Sequence, residues 1–220
     1  MDSVNTSDDQ IVPLLENLFE NQPESFETLV HYFTLWKDPQ NIELKHISAL
    51  PQKLLEEIFK TITQEKKDLV TQMTIYNALG LEDLSFLRFF PHIKVLSCAE
   101  CVNLKSLSGI ESSEQLNIID ISGCCQLKSL LGLEKLPLKK ANLKRCTSLV
   151  DVSALKDSQL KMLNISECYS IEGFDFLEEM KLLEELVAKD LPLLTNPHFI
   201  THIKKINIQG SGLDPDDEDE

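Results

Sequence analysis

Residues 116–127 read LNIIDISGCCQL, and the same phrase returns as IKVLSCAECVNL at 93–104, LKKANLKRCTSL at 138–149 and LKMLNISECYSI at 160–171. The shared frame is L-x-x-L-x-L-x-x-C-x-x-L, filled in the first stretch by Leu116, Ile119, Ile121, Cys124 and Leu127. Weaker copies open at Val70, Leu183 and Ile203. The seven copies start at 70, 93, 116, 138, 160, 183 and 203, steps of 20 to 23 residues. A fixed period of this size marks a chain built by stacking one supersecondary unit.

Within each copy the alternation apolar-x-apolar puts two side chains on one face of a strand, whose side-chain period is two. One repeat cannot bury that face alone. Stacked neighbours can, and each fully buried leucine then contributes about 1.5–3 kcal/mol. Behind each cysteine the apolar residues recur every third position, as in Leu104, Leu107 and Ile110 or Leu127, Leu130 and Leu133. That spacing predicts short 3₁₀ turns and extended chain on the back of each coil rather than long helices. Cys101, Cys124, Cys146 and Cys168 share one phase and are expected to point inward as small buried hydrophobes. The pair Cys98-x-x-Cys101 falls on two core positions of the frame, so no metal site is expected there.

The frame resembles the signature of the leucine-rich-repeat family over residues 70–213, about two thirds of the chain. The resemblance implies an α/β fold: a right-handed solenoid with one short parallel strand per repeat, about seven repeats, and a partner on the concave face. Residues 1–10 read as a disordered N-terminus, 11–69 as a helical cap and 214–220 as an acidic disordered tail. Helical spacing appears in Ile11–Glu20, Ser25–Lys37 and Pro51–Ile62.

Leu50-Pro51-Gln52-Lys53-Leu54-Leu55-Glu56-Glu57-Ile58-Phe59 resembles the opening helix of an F-box and the cullin-binding box of Zer/Zyg-type substrate receptors. That resemblance implies a Skp- or elongin/cullin-type adaptor bound through Leu50, Pro51, Leu54 and Ile58, in a substrate-receptor subunit of a cullin-RING ubiquitin ligase. An amphipathic stripe of this kind lies in a partner's groove, but it serves equally as a cap on the first repeat. Both readings fit the spacing.

The net charge of −15 is unevenly spread. Residues 1–68 carry −7, the last seven residues −6, and the repeats only −2. The acidic total argues against nucleic acid and against an anionic membrane surface as partners. The polar start MDSVNTSDDQ does not read as a secretory signal, so the six cysteines are expected to be reduced, in a cytoplasmic or nuclear monomer. The acidic tail also resembles, in miniature, those of acidic leucine-rich nuclear proteins.

Outward strand positions would carry recognition of a protein partner. Lys139, Lys140, Asn142, Lys144 and Arg145 fall in one repeat, with Lys161, Met162 and Asn164 in the next. Five of these eight are cationic, which suggests one basic patch for an acidic segment. No nucleophile, base and orienting acid share a phase, so no catalytic residues and no cofactor are expected. His198 and His202 stand four apart, without the glutamate of a zinc-protease helix.

Overall fold

The computed structural model describes Asp38, residues 40–44 and residues 50–213. The helices read over 11–20 and 25–37, the first ten residues and the acidic tail lie outside the described residues.

One sheet of eight parallel strands runs in sequence order. The strands are β1 Asn41–Leu44, β2 Gln72–Ile75, β3 Val95–Ser97, β4 Ile118–Asp120, β5 Lys140–Asn142, β6 Met162–Asn164, β7 Glu185–Val187 and β8 Lys205–Asn207. The middle residues of neighbouring strands pair in register: Met73 with Leu96, Leu96 with Ile119, Ile119 with Ala141, Ala141 with Leu163, Leu163 with Leu186 and Leu186 with Ile206. These are the frame positions of the repeat. A parallel strand cannot return by a hairpin, so each coil must cross behind the sheet before the next strand begins.

The crossings match the three-residue spacing. Short 3₁₀ turns occupy Ser85–Phe89, Ile110–Ser112, Ser153–Leu155 and Pro197–Ile200, and a single α-helical turn occupies Phe176–Glu179. Leu104, Leu107 and Ile110 are all buried, as are Leu127, Leu130 and Leu133. The core is therefore a continuous column between the sheet and its back.

One strand was not foreseen. β1 lies inside the segment read as a purely helical cap, and it pairs with β2 through Ile42 opposite Met73 and Leu44 opposite Ile75. Between them stand helices α1 Gln52–Thr61 and α2 Gln64–Leu69. These helices form the back of the first coil, which is longer than the others. Ile42 and Leu44 alternate as a strand should, but four residues outside the repeat frame carry little signal.

Close packing of coil backs makes Gly109 irreplaceable. Its φ is +99°, and a Cβ there would overlap the Leu84 carbonyl and the Ser85 Cα of the previous coil. Backbone strain in that region alone costs about 1–3 kcal/mol for a residue with a side chain. Gly109→Ala is expected to destabilise the protein by at least about 2 kcal/mol, read as a lower urea midpoint. An unchanged midpoint would show that the two coils are not packed backbone to backbone.

Candidate functional site

The sheet has one covered face and one open face. In β3, β4, β6 and β7 the middle residue is buried, while the residues on either side are half-buried and turned outward. This open face corresponds to the concave surface expected from the sequence.

Three outward rows cross the strands. The first stands just before each strand: Lys94, Asn117, Lys139, Lys161. The amide of Asn117 donates to the Lys94 carbonyl at 2.8 Å, that of Lys139 to Asn117 at 2.7 Å and that of Lys161 to Lys139 at 2.9 Å. The second row is Val95, Ile118, Lys140, Met162, paired directly in register. The third is Ser97, Asp120, Asn142, Asn164.

The third row is partly occupied by its own backbone. Asp120 Oδ1 accepts from the Ser122 amide at 3.0 Å and from its hydroxyl at 2.7 Å. Asn142 Oδ1 accepts from the Lys144 amide at 3.3 Å, and Asn164 Oδ1 from the Ser166 amide at 3.1 Å. Such side-chain-to-backbone bonds shape the turn that ends each strand.

That turn then places one residue per coil in the left-handed region. Asn77, Glu100, Gly123, Arg145, Glu167, Asp190 and Gly210 all have φ between +53° and +73°. Only glycine adopts this freely, with asparagine next. The sequence reading missed this column, although glycine and asparagine recurring at one phase were its signal. A Cβ on Gly123 would stand 2.6 Å from the Glu100 carboxylate. The bare glycine therefore lets Arg145 reach across a whole coil to Glu100, at 3.3 Å. Arg145 also lies 3.9 Å from Glu167, which Lys144 meets at 2.9 Å.

The expected basic patch is thereby divided. Lys144 and Arg145 sit past the end of β5 and are tied to Glu100 and Glu167. Lys139 and Lys140 sit at its start, about 16 Å away along an extended chain. Lysines adjacent in sequence suggest one surface, but a strand carries its two ends to opposite rims. Lys161 pairs with Glu184 at 3.4 Å. Among the described residues, Lys94, Lys139 and Lys140 form no ion pair.

The stripe proposed for an adaptor is largely occupied. Leu50 is 2% exposed and Ile58 1%, both inside the core, and Leu54 packs against it. Only Pro51 is exposed. The polar edge of α1 is committed as well. Gln52 Oε1 accepts from the amides of Glu82 at 2.9 Å and Asp83 at 3.1 Å, and its Nε2 donates to Ser85 Oγ at 3.1 Å and to the Asp83 carboxylate. Glu56 holds Arg88 at 2.6 Å. Burial alone would raise the Glu56 carboxyl, but hydrogen bonds from Ser85, Arg88 and Gln52 bring it below its ordinary value. Helix α1 is thus fastened to the second coil by both faces.

The cysteine column is also engaged internally. The Cys101 thiol donates to the Ile75 carbonyl at 3.7 Å, Cys124 to Cys98 at 3.3 Å, Cys146 to Ile121 at 3.2 Å and Cys168 to Leu143 at 3.0 Å. Each thiol answers a backbone carbonyl of the coil before it. Burial pushes Cys101 up to about 11 and Cys168 to about 12, and raises Cys98, Cys124 and Cys146 as well. A thiol held protonated in this way is a poor nucleophile at neutral pH. One parallel strand per repeat, a back of short turns, and an inward column that caps carbonyls coil by coil decide the fold.

The chain is a leucine-rich-repeat solenoid. No protein-family model matches it, and no curated protein matches it in sequence. Solved structures similar to the solenoid include an internalin, InlF, from Listeria monocytogenes, at 14% identity over 68% of this chain and 51% of that one, with a TM-score of 0.47. The solenoid thus spans about half the length of that protein. The leucine-rich repeat domain of the type III effector XopL aligns at 14% identity over 93% of this chain and 91% of that one, TM-score 0.43. The functional domain of InlJ from Listeria monocytogenes, which includes a cysteine ladder, aligns at 13% identity over 68% and 46%, TM-score 0.31. The assignment to the fold rests on the strand register and repeat phase of this chain's own coils. Among the described residues no helix is long and apolar enough to cross a membrane.

Proposed function

We propose that the solenoid is a non-catalytic module that recognises a protein partner on the open face of its sheet. The observation that carries this reading is the second outward row. Val95, Ile118 and Met162 stand half-exposed in register, the other outward positions of β3–β6 are polar, and the coil backbone beneath them is rigidly paired. An apolar centre with a polar rim is the anatomy of a recognition surface. Two of the described histidine rings point elsewhere: His92 contacts the Gln115 side chain at 3.2 Å, and His202 the Met180 carbonyl at 3.2 Å. Neither is paired with a thiol or hydroxyl, which supports the non-catalytic reading.

A photo-crosslinking residue placed at Met162 tests this. It is expected to capture a discrete protein, whereas the same residue at Leu131, 73% exposed on the back of the solenoid, captures none. Equal yields at the two positions, or none at Met162, would sink the reading.

A further inference from the structure

We propose that the open face across β3–β6 takes a short extended peptide segment in which acidic residues alternate with apolar ones. This rests on the reading of the open face as the recognition surface, and it names the chemistry of the partner.

The argument comes from what each row can offer. The first row and Lys140 supply cations. Lys94, Lys139 and Lys140 have no ion pair among the described residues, and Lys161 shares only an exposed one with Glu184. Exposed pairs are weak, so a ligand carboxylate can displace it. The second row supplies a line of apolar contact from Val95 through Ile118 to Met162, with the methylene stem of Lys140 filling the gap between the last two. The third row supplies donors. Because the Asn142 and Asn164 oxygens already accept backbone amides, their amide N–H groups remain for a ligand, and peptide carbonyls are the matching acceptors.

Polarity runs one way across the face. Lys94, Lys139 and Lys140 stand at the strand starts with no ion pair among the described residues, whereas past the strand ends Lys144 and Arg145 are matched by Glu100 and Glu167, and Asp120 closes β4. A ligand with carboxylates along one side therefore meets available cations at one rim and already paired ones, with Asp120 beside them, at the other, which fixes its position. Electrostatic complementarity of this sort sets register and partner choice more than raw affinity. Four strands span about 14 Å, which suits four or five residues of extended chain. Aromatic side chains are missing from all three rows, so the face offers no platform for stacking nucleobases.

Fluorescence anisotropy with the full chain tests the proposal. The probe is a labelled twelve-residue peptide alternating glutamate and leucine. The controls alternate lysine with leucine and glutamate with serine, and a single-stranded oligonucleotide of equal length is a fourth arm. The glutamate–leucine peptide is expected to bind, with affinity falling as salt rises. Replacing its leucines by serine, or introducing Lys139→Glu with Lys140→Glu, or Met162→Asp, should each weaken it about tenfold or more. Lys135→Glu on the back should change nothing. All these positions are surface sites, and unchanged circular dichroism confirms that each variant folds. Absence of glutamate–leucine binding at millimolar peptide, insensitivity to the face variants, or tighter binding of the oligonucleotide would overturn the proposal. If Met162 still crosslinks a protein while acidic peptides neither bind nor compete, the recognition surface stands and the acidic-ligand inference fails. If the crosslink fails as well, both fail.

Discussion

Between pH 8 and about 10 the protein is expected to unfold, driven by its own cysteines. Five of the six thiols are buried. In an unfolded chain a thiol ionises near pH 8.5. In the fold, burial pushes Cys101 to about 11 and Cys168 to about 12, and holds Cys98, Cys124 and Cys146 above their ordinary value too. A group whose folded pKa is raised gives its full stabilisation below the unfolded pKa and loses it as pH climbs toward the folded one. Each thiol then forfeits about 1.4 kcal/mol per pH unit. At about pH 10 the five together remove on the order of 10 kcal/mol, comparable to the whole stability of an ordinary domain. Lys67 works against this, since burial lowers its pKa, but it is one group against five. Thiolate ultraviolet absorbance and far-ultraviolet circular dichroism, followed together through the transition, should change at the same pH. Absorbance of more than one thiolate per chain near pH 9 with the dichroism intact would show that the buried thiols are accessible and the ladder is wrong. Cys146→Val removes one titrating group and should move the midpoint upward.

The column behind that prediction was legible because repetition fixes phase. Once Leu116, Ile119 and Ile121 set the strand, Cys124 had to point inward, and the same holds for Cys146 and Cys168. The parts that were not legible lack a second copy to be compared with. β1 shows only Ile42 and Leu44, and nothing upstream repeats them. The left-handed column hides behind Glu100, Arg145 and Glu167, which look like ordinary surface charges. Gly123 and Gly210 at that phase betray it only when the coils are aligned. Distance along the chain also misled. Lys140 and Lys144 are near in sequence, yet a strand and a turn carry them to opposite rims, where one has no ion pair among the described residues and the other meets Glu167. The stripe of Leu50, Leu54 and Ile58 was ambiguous for a different reason. Its spacing is the same whether it fills a partner's groove or its own solenoid, and the burial of Leu50 and Ile58 together with the grip of Gln52 on Glu82 and Asp83 separates the two.

That distinction has a measurable consequence at Phe59. If α1 belongs to the solenoid, Phe59→Ala should cost about 3–5 kcal/mol, the usual range for emptying a buried aromatic site. Phe59 is fully buried, and its ring meets Phe90 edge-on at 4.9 Å and Phe86 at 5.7 Å between centroids. Both partners lie on the back of the second coil, so the ring joins the first coil to the rest. In a solenoid each coil touches only its neighbours, and stability is close to a sum of coil and interface contributions. Losing this interface should therefore release the first coil before the others. The urea midpoint should fall by more than about 1 M, given a slope of about 1–3 kcal/mol per molar. Hydrogen exchange should speed up first in α1 and in the β1–β2 pairing, while β5 and β6 keep their protection. Leu54→Ala, at a half-buried position on the same helix, should cost far less. If Phe59→Ala and Leu54→Ala shift the midpoint equally little, α1 is not anchored in the core, and the adaptor reading of its stripe regains its footing. A large shift at Phe59 with uniform loss of protection across all eight strands would instead mean that the coils unfold as a single unit rather than as a stack.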